Sequence, residues 1–213
     1  MDKIRIKNSW ESLTYGEYMQ LVQIGEAEIP ENYKTTHLLS ILTGEDVEKI
    51  EALPITSFMK LVPHLQFLNE TPKDIKHKDE YEVNGHKYIV QAEVDKICTA
   101  QFLDYSAYVR EQYDSSGPNT VKLASCFLVP EGHKYGDGYD INQVWNDIND
   151  MSFLDVKALA FFLQLQYAAY ILISNDCIDR QMKKLGVPKK KRKESLTHLN
   201  NMARSLLSSA SSN

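Results

Sequence analysis

Apolar residues recur at three- and four-residue spacing through most of this chain, and at two-residue spacing in only a few places. Lys3-Ile4-Arg5-Ile6-Lys7 alternates apolar and basic side chains, which predicts a short strand with one buried face. Thr14-Tyr-Gly-Glu17 then has the form of a capping box, in which a hydroxyl takes a backbone donor three residues on and the carboxylate reaches back. It opens a helix with Tyr18, Leu21 and Val22 inward, ended by Gly25 and Pro30. A second helix is predicted over residues 34–43, stopped by Gly44, and a third from Thr43-x-x-Asp46, closed by Pro54. A fourth starts near Thr56 and should be kinked or divided at Pro63.

Residues 79–91 read as a β-hairpin with a two-residue Asn84-Gly85 turn, in a register that sets Tyr81 opposite Tyr88 and Glu82 opposite Lys87. An isolated hairpin is marginal, and the strand at 3–7 is the expected cover. Helical spacing then resumes with Phe102, Tyr105 and Val109, broken by Ser115-Ser-Gly-Pro118. Val121, Ala124, Cys126, Phe127 and Leu128 predict another helix, stopped by Pro130. A loop over 131–140 precedes a short amphipathic helix with Ile141, Val144, Trp145 and Ile148. Ser152-x-x-Asp155 caps a long apolar helix reaching about Ile173. After Lys183 the expectation is a solvated basic linker, then a short helix with Leu196, Leu199, Met202 and Leu206 on one face. That face has no evident home in its own domain and is read as docking on a partner.

The two halves echo each other. Leu13-Thr-Tyr-Gly-Glu17-Tyr18 matches Ile97-Cys-Thr-Ala-Gln101-Phe102 at an offset of 84, with Thr14 replaced by Cys98, and Leu39–Leu42 parallels Ala124–Phe127. The expected fold is therefore mainly α with a small antiparallel β-hairpin or sheet, with the marks of a tandem helical duplication. Its parts would be 1–95, 96–178 and a 179–213 tail of linker and docking helix.

The 213 residues suffice for a real core, and 43% apolar with 25% charged residues is ordinary for a globular chain. Cys98, Cys126 and Cys177 form no close pair, so neither a disulfide framework nor a zinc site is expected. The 16-residue apolar run Ala158–Ile173 falls short of the ~20 that a membrane span needs, and no secretory signal opens the chain. Charge is uneven. Residues 179–213 hold nine Lys/Arg against Asp179 and Glu194, or +7, so the total of −5 leaves −12 on residues 1–178.

No phosphate-binding glycine loop, nucleophile elbow or helical histidine pair is present, and neither cofactor nor metal is expected. The loop with Glu131, His133, Asp137 and Asp140 hints at calcium, but position 12 of such a loop would be Ile148 rather than Glu. An unfamiliar enzyme centred on His133, Asp137 and Asp140 is the remaining catalytic reading. The sharpest feature is basic: Lys183, Lys184, Lys189, Lys190, Lys191, Arg192 and Lys193. Residues 189–193 have three readings: a nuclear-localisation signal, a non-specific phosphate contact, or a solvated linker.

Trp10-Glu-Ser-Leu13-Thr14-Tyr-Gly-Glu17-Tyr18-Met-Gln-Leu21, with Leu39-Ser-Ile-Leu-Thr-Gly44, Val47-Glu-Lys-Ile50, Leu53-Pro54 and Phe161-Phe162, resembles small helical proteins of the tail and neck genes of tailed bacteriophages. These include tail assembly chaperones, baseplate-hub assembly proteins, and the ring and cargo virion proteins of crAss-like phages. The likeness covers roughly residues 8–170 and rests on capping and packing patterns. It implies a non-enzymatic structural protein of the virion, a neck, tail or cargo component, found in the host cytoplasm during assembly. Its partners would be portal, neck or tail subunits in a homo- or hetero-oligomer. The alternatives are an assembly chaperone absent from the mature particle, and a non-specific DNA-binding regulator using the 189–193 cluster.

Overall fold

In the computed structural model, residues 4–93, 97–114 and 120–211 are described, apart from the side chains of residues 32, 110–114, 173, 174, 176, 177, 202 and 205–211. The expected break at Ser115–Pro118 therefore lies outside the described residues. The chain is mainly helical: α1 (Tyr15–Glu26), α2 (Glu31–Thr43), α3 (Val47–Glu51), α4 (Ile55–Leu61), a 3₁₀ stretch (Val62–Asn69), α5 (Thr99–Asp114), α6 (Thr120–Ser125), α7 (Ile141–Asp150), α8 (Phe153–Lys184) and α9 (Lys189–Ser211). A small sheet joins β1 (Glu80–Val83), β2 (His86–Val90) and β3 (Leu128–Pro130) in that order. No helix among the described residues is long and apolar enough to cross a membrane.

Two compact units form, and they are interleaved along the chain. The first takes Met1–Lys76, Tyr81–Lys87 and Asp140–Ala158; the second takes His77–Glu80, Tyr88–Tyr139 and Leu159–Asn213.

In the first unit, Thr14 caps α1 as its sequence predicts. Its hydroxyl accepts from the Glu17 N–H at 3.2 Å, and Glu17 accepts from the Thr14 N–H at 2.9 Å. Glu17 also holds the Lys7 ammonium at 2.5 Å. Leu39, Leu42 and Ile50 are completely or almost completely buried, as are Val144 and Ile148 of α7. Trp10 is wedged edge-on to Phe67, 5.3 Å between ring centres, and lies 5.4 Å from Phe153, which stacks on Tyr18. Pro63 does divide the fourth helical segment: α4 ends at Leu61 and the chain continues as 3₁₀.

In the second unit, Tyr105 packs edge-on against both Phe127 and Tyr167 at 4.9 and 4.8 Å, and Leu128, Val129, Leu159 and Leu163 are buried. β3 lies antiparallel to β2, pairing Tyr88 with Pro130, Ile89 with Val129 and Val90 with Leu128. The hairpin turn, which belongs to the first unit, is as expected, with Asn84 and Gly85 at φ +52° and +79°, the positive values a two-residue turn requires.

Three expectations are corrected. Residues 4–8 form no strand. The Lys7 N–H instead donates to the Leu42 carbonyl at 2.9 Å, one of the last carbonyls of α2, which has no partner inside its own helix. Phe127 and Leu128 do not continue a helix: α6 stops at Ser125, and Leu128-Val-Pro130 supplies the third strand assigned to residues 3–7. The third correction concerns the tail. α8 runs past Ile173 to Lys184, and the basic cluster is the start of the 23-residue helix α9, not a linker.

The sequence echo has a counterpart in hydrogen bonding. In the first unit Lys7 N–H meets Leu42 O, and Thr14 caps Glu17 N–H. In the second, Gln91 N–H meets Phe127 O at 2.8 Å, and the Cys98 sulfur accepts from Gln101 N–H at 3.5 Å. The thiol occupies the place of the threonine hydroxyl and makes the same contact at the longer distance sulfur requires.

Candidate interaction surface

The basic residues are set in place by the turn between α8 and α9. Gly186 has φ +71°, the left-handed conformation that ends helices. Its N–H donates to Lys183 O at 3.1 Å, and the Val187 N–H donates to Met182 O at 2.9 Å. This pair of bonds closes α8 in a Schellman motif, with Met182 and Val187 both half-buried beside it. Pro188 then starts α9, accepting the Arg192 N–H at 3.1 Å.

α9 folds back on α8 within the second unit. Arg192 donates from Nη1 to Asp179 Oδ1 at 2.7 Å, with only 14% of its side chain exposed. Asn175 donates to the Asn200 side chain at 2.7 Å, so the two helices run antiparallel. Leu196 and Leu199 are half-buried and Ala203 is fully buried. The expectation that this face lacks a home in its own domain is thus corrected; the Met202 and Leu206 side chains lie outside the described residues. Of the seven basic residues singled out from sequence, Arg192 is an internal pin. Lys189, Lys190, Lys191 and Lys193 are exposed on α9, and Lys183 and Lys184 are exposed in the last turn of α8.

The electrostatics of the α9 start are unusual. A helix N-terminus carries a partial positive charge and favours acidic residues. Here the first turn has no acidic side chain, and five basic residues follow one another from Lys189. An anionic surface placed there would relieve both the dipole and the mutual repulsion of the lysines.

The loop at 131–140 offers less. Asp137 accepts the Lys134 N–H at 2.6 Å, Asp140 caps α7 through the Asn142 N–H at 2.9 Å, and His133 lies edge-on to Tyr139. Both carboxylates are therefore engaged in shaping backbone. Tyr135 donates its hydroxyl to Asp104 at 2.7 Å, and burial followed by that bond raises its pKa. Burial likewise pushes the Cys126 thiol up to about 12. Among the described residues no group of three or more His, Cys, Asp or Glu side chains is placed to hold a metal ion.

The raised Cys126 thiol has a measurable consequence. Alkylation proceeds through the thiolate, so burial that raises the thiol slows the reaction of Cys126. With iodoacetamide and peptide-resolved mass spectrometry, exposed Cys98 is expected to label at least tenfold faster than buried Cys126 in the folded chain. Equal rates would contradict the buried position of Cys126.

Sequence reading missed two buried polar groups. Asp147, 1% exposed, accepts from Asn84 at 2.9 Å, His86 at 2.8 Å and Gln143 at 3.0 Å, tying the hairpin tip to α7 in the first unit. Gln101, also 1% exposed, donates to the carbonyls of Gln91 and Cys126, both at 2.8 Å, in the second. The echo of Glu17 by Gln101 was the available signal for the latter. No protein-family model, curated protein or solved structure matches the chain.

Proposed function

We propose that this protein is a non-enzymatic component of a tailed-phage particle, a neck, tail or cargo protein, that works by presenting helical surfaces to other macromolecules. The observation that carries the reading is α9, a helix anchored through Arg192 that holds exposed lysines at its positive end. A charge set of this kind is suited to a polyanionic or acidic partner. The resemblance of residues 8–170 to tail and neck proteins supplies the setting. Exposed Ile55 and Met59, one turn apart on α4, add an apolar surface of the sort that protein contacts use.

Quantitative mass spectrometry of purified, DNA-filled particles against the infected-cell lysate tests the reading. Enrichment in particles at a fixed copy number, including peptides of α9, is expected. Abundance in the lysate with absence from particles would overturn it in favour of a transient assembly chaperone.

A further inference from the structure

We propose that the outward face of α9, formed by Lys190, Lys193, Thr197, Asn201 and Arg204, is a contact surface for the phosphate backbone of duplex DNA, independent of sequence. At 3.6 residues per turn these five positions fall within about 80° of arc and extend over about 21 Å of helix. Lys190, Lys193, Thr197 and Asn201 share one shallow surface depression, and Arg204 is exposed one turn on. The opposite side holds Arg192, Leu196, Leu199 and Ala203 and faces α8. Within the cluster the fold therefore separates one arginine that holds the helix from the lysines that face solvent.

The composition of the face selects phosphate over an acidic protein surface. Backbone contacts to DNA come from Lys and Arg, from neutral donors such as Thr and Asn, and from helix N-termini. All three occur on this one helix. Duplex DNA presents a charge about every 1.7 Å of axis, so a 21 Å stripe meets a dense row of them. Glu194 at one edge reduces the charge, and the −12 carried by residues 1–178 repels a polyanion elsewhere. The contact is thus confined to α9 and strongly salt-sensitive. His198 lines the same depression, but the bases of a duplex are stacked inside it, and contacts to phosphate carry no sequence information, which is why no sequence preference is expected.

The proposal deepens the reading above by naming the partner of the same helix, and it is tested on the purified full-length chain, away from any particle. Fluorescence anisotropy with two 30-base-pair duplexes of unrelated sequence would be run from 50 to 200 mM salt. Equal affinity for both duplexes is expected, with log K falling against log salt at a slope of about −3. The triple variant K190Q/K193Q/R204Q should weaken binding at least tenfold at low salt and flatten that slope by about 2 to 3. R180Q/K183Q/K184Q, which removes the same charge from α8, should change affinity less than threefold. Circular dichroism checks that helix content is retained, and the wild-type salt slope stands whether or not the variants fold. Equal losses from the two triples would overturn the assigned face. Binding to polyglutamate without binding to duplex would overturn DNA as the partner. Failure here leaves particle incorporation untouched, so the two readings fail separately.

Discussion

Gln101→Leu is expected to destabilise the second unit by about 2–4 kcal/mol, because it takes the donor from the buried Cys126 carbonyl, at about 1–3 kcal/mol, and from the part-buried Gln91 carbonyl, at about 1 kcal/mol. The Gln101 amide is the donor to both Gln91 O and Cys126 O, and leucine fills the space without offering a proton. Gln101→Glu is the sharper variant. An ionised carboxylate at that position would face two carbonyl oxygens at 2.8 Å with no donor from its own side. The acid is tolerated only when protonated, so its folded pKa rises. Stability is then lost as pH climbs above the unfolded glutamate value of about 4.3. Urea unfolding should rank wild type above Gln101→Leu, and Gln101→Leu above Gln101→Glu at pH 7, with the two variants converging towards pH 4. A Gln101→Leu midpoint equal to wild type would show that the two carbonyls do not depend on the amide.

Asp147→Ala should cost the first unit about 3 kcal/mol. Its carboxylate is the common acceptor for Asn84, His86 and Gln143. All three donors are exposed residues and can turn to water once the acceptor is gone, which keeps the loss to the bonds themselves. At roughly 2–4 °C per kcal/mol for a chain of this size, a thermal midpoint lower by about 6–12 °C is anticipated. Asp150→Ala is the matched control. Asp150 accepts from Asn84 at 2.9 Å at an exposed position, and its removal should cost under about 1 kcal/mol. If the two alanine variants melted together, the buried carboxylate would not be what fastens the hairpin tip.

The features legible in the sequence were the local ones. The Thr14 capping box, the Asn84-Gly85 turn and the division at Pro63 depend on residues within four positions of each other, and each formed as its chemistry dictates. Strand pairing was not legible. Ile4 and Ile6 alternate as convincingly as Leu128-Val-Pro130, but which segment lies beside β2 depends on where α5 and α6 bring the chain. An apolar run as short as 126–128 has the same spacing in a helix end as in a buried strand. In the tail, Gly186 and Pro188 bracket a helix stop and a helix start, but five consecutive basic residues repel one another and carry no apolar stripe of their own, so the spacing there does not show a helix. Arg192 could not be told from its lysine neighbours by sequence, because its role depends on Asp179 thirteen residues earlier. Asp147 gives no sign of burial, since polar residues on amphipathic helices are ordinarily at the surface, and for Gln101 the one pointer is its place opposite Glu17 in the echo.

The interleaving of the two units bears on how the chain folds during synthesis. The first unit needs Tyr81–Lys87 and Asp140–Ala158 as well as its N-terminal stretch. Its core cannot close until Val144, Ile148 and Phe153 have left the ribosome, well after α1 to α4 have emerged. At about 5–20 residues per second, the apolar faces of those early helices wait several seconds for their partners. Domains made of consecutive residues can fold vectorially as they emerge, but this chain commits late and nearly all at once. Its nascent form therefore depends on whatever shields those faces in the interval.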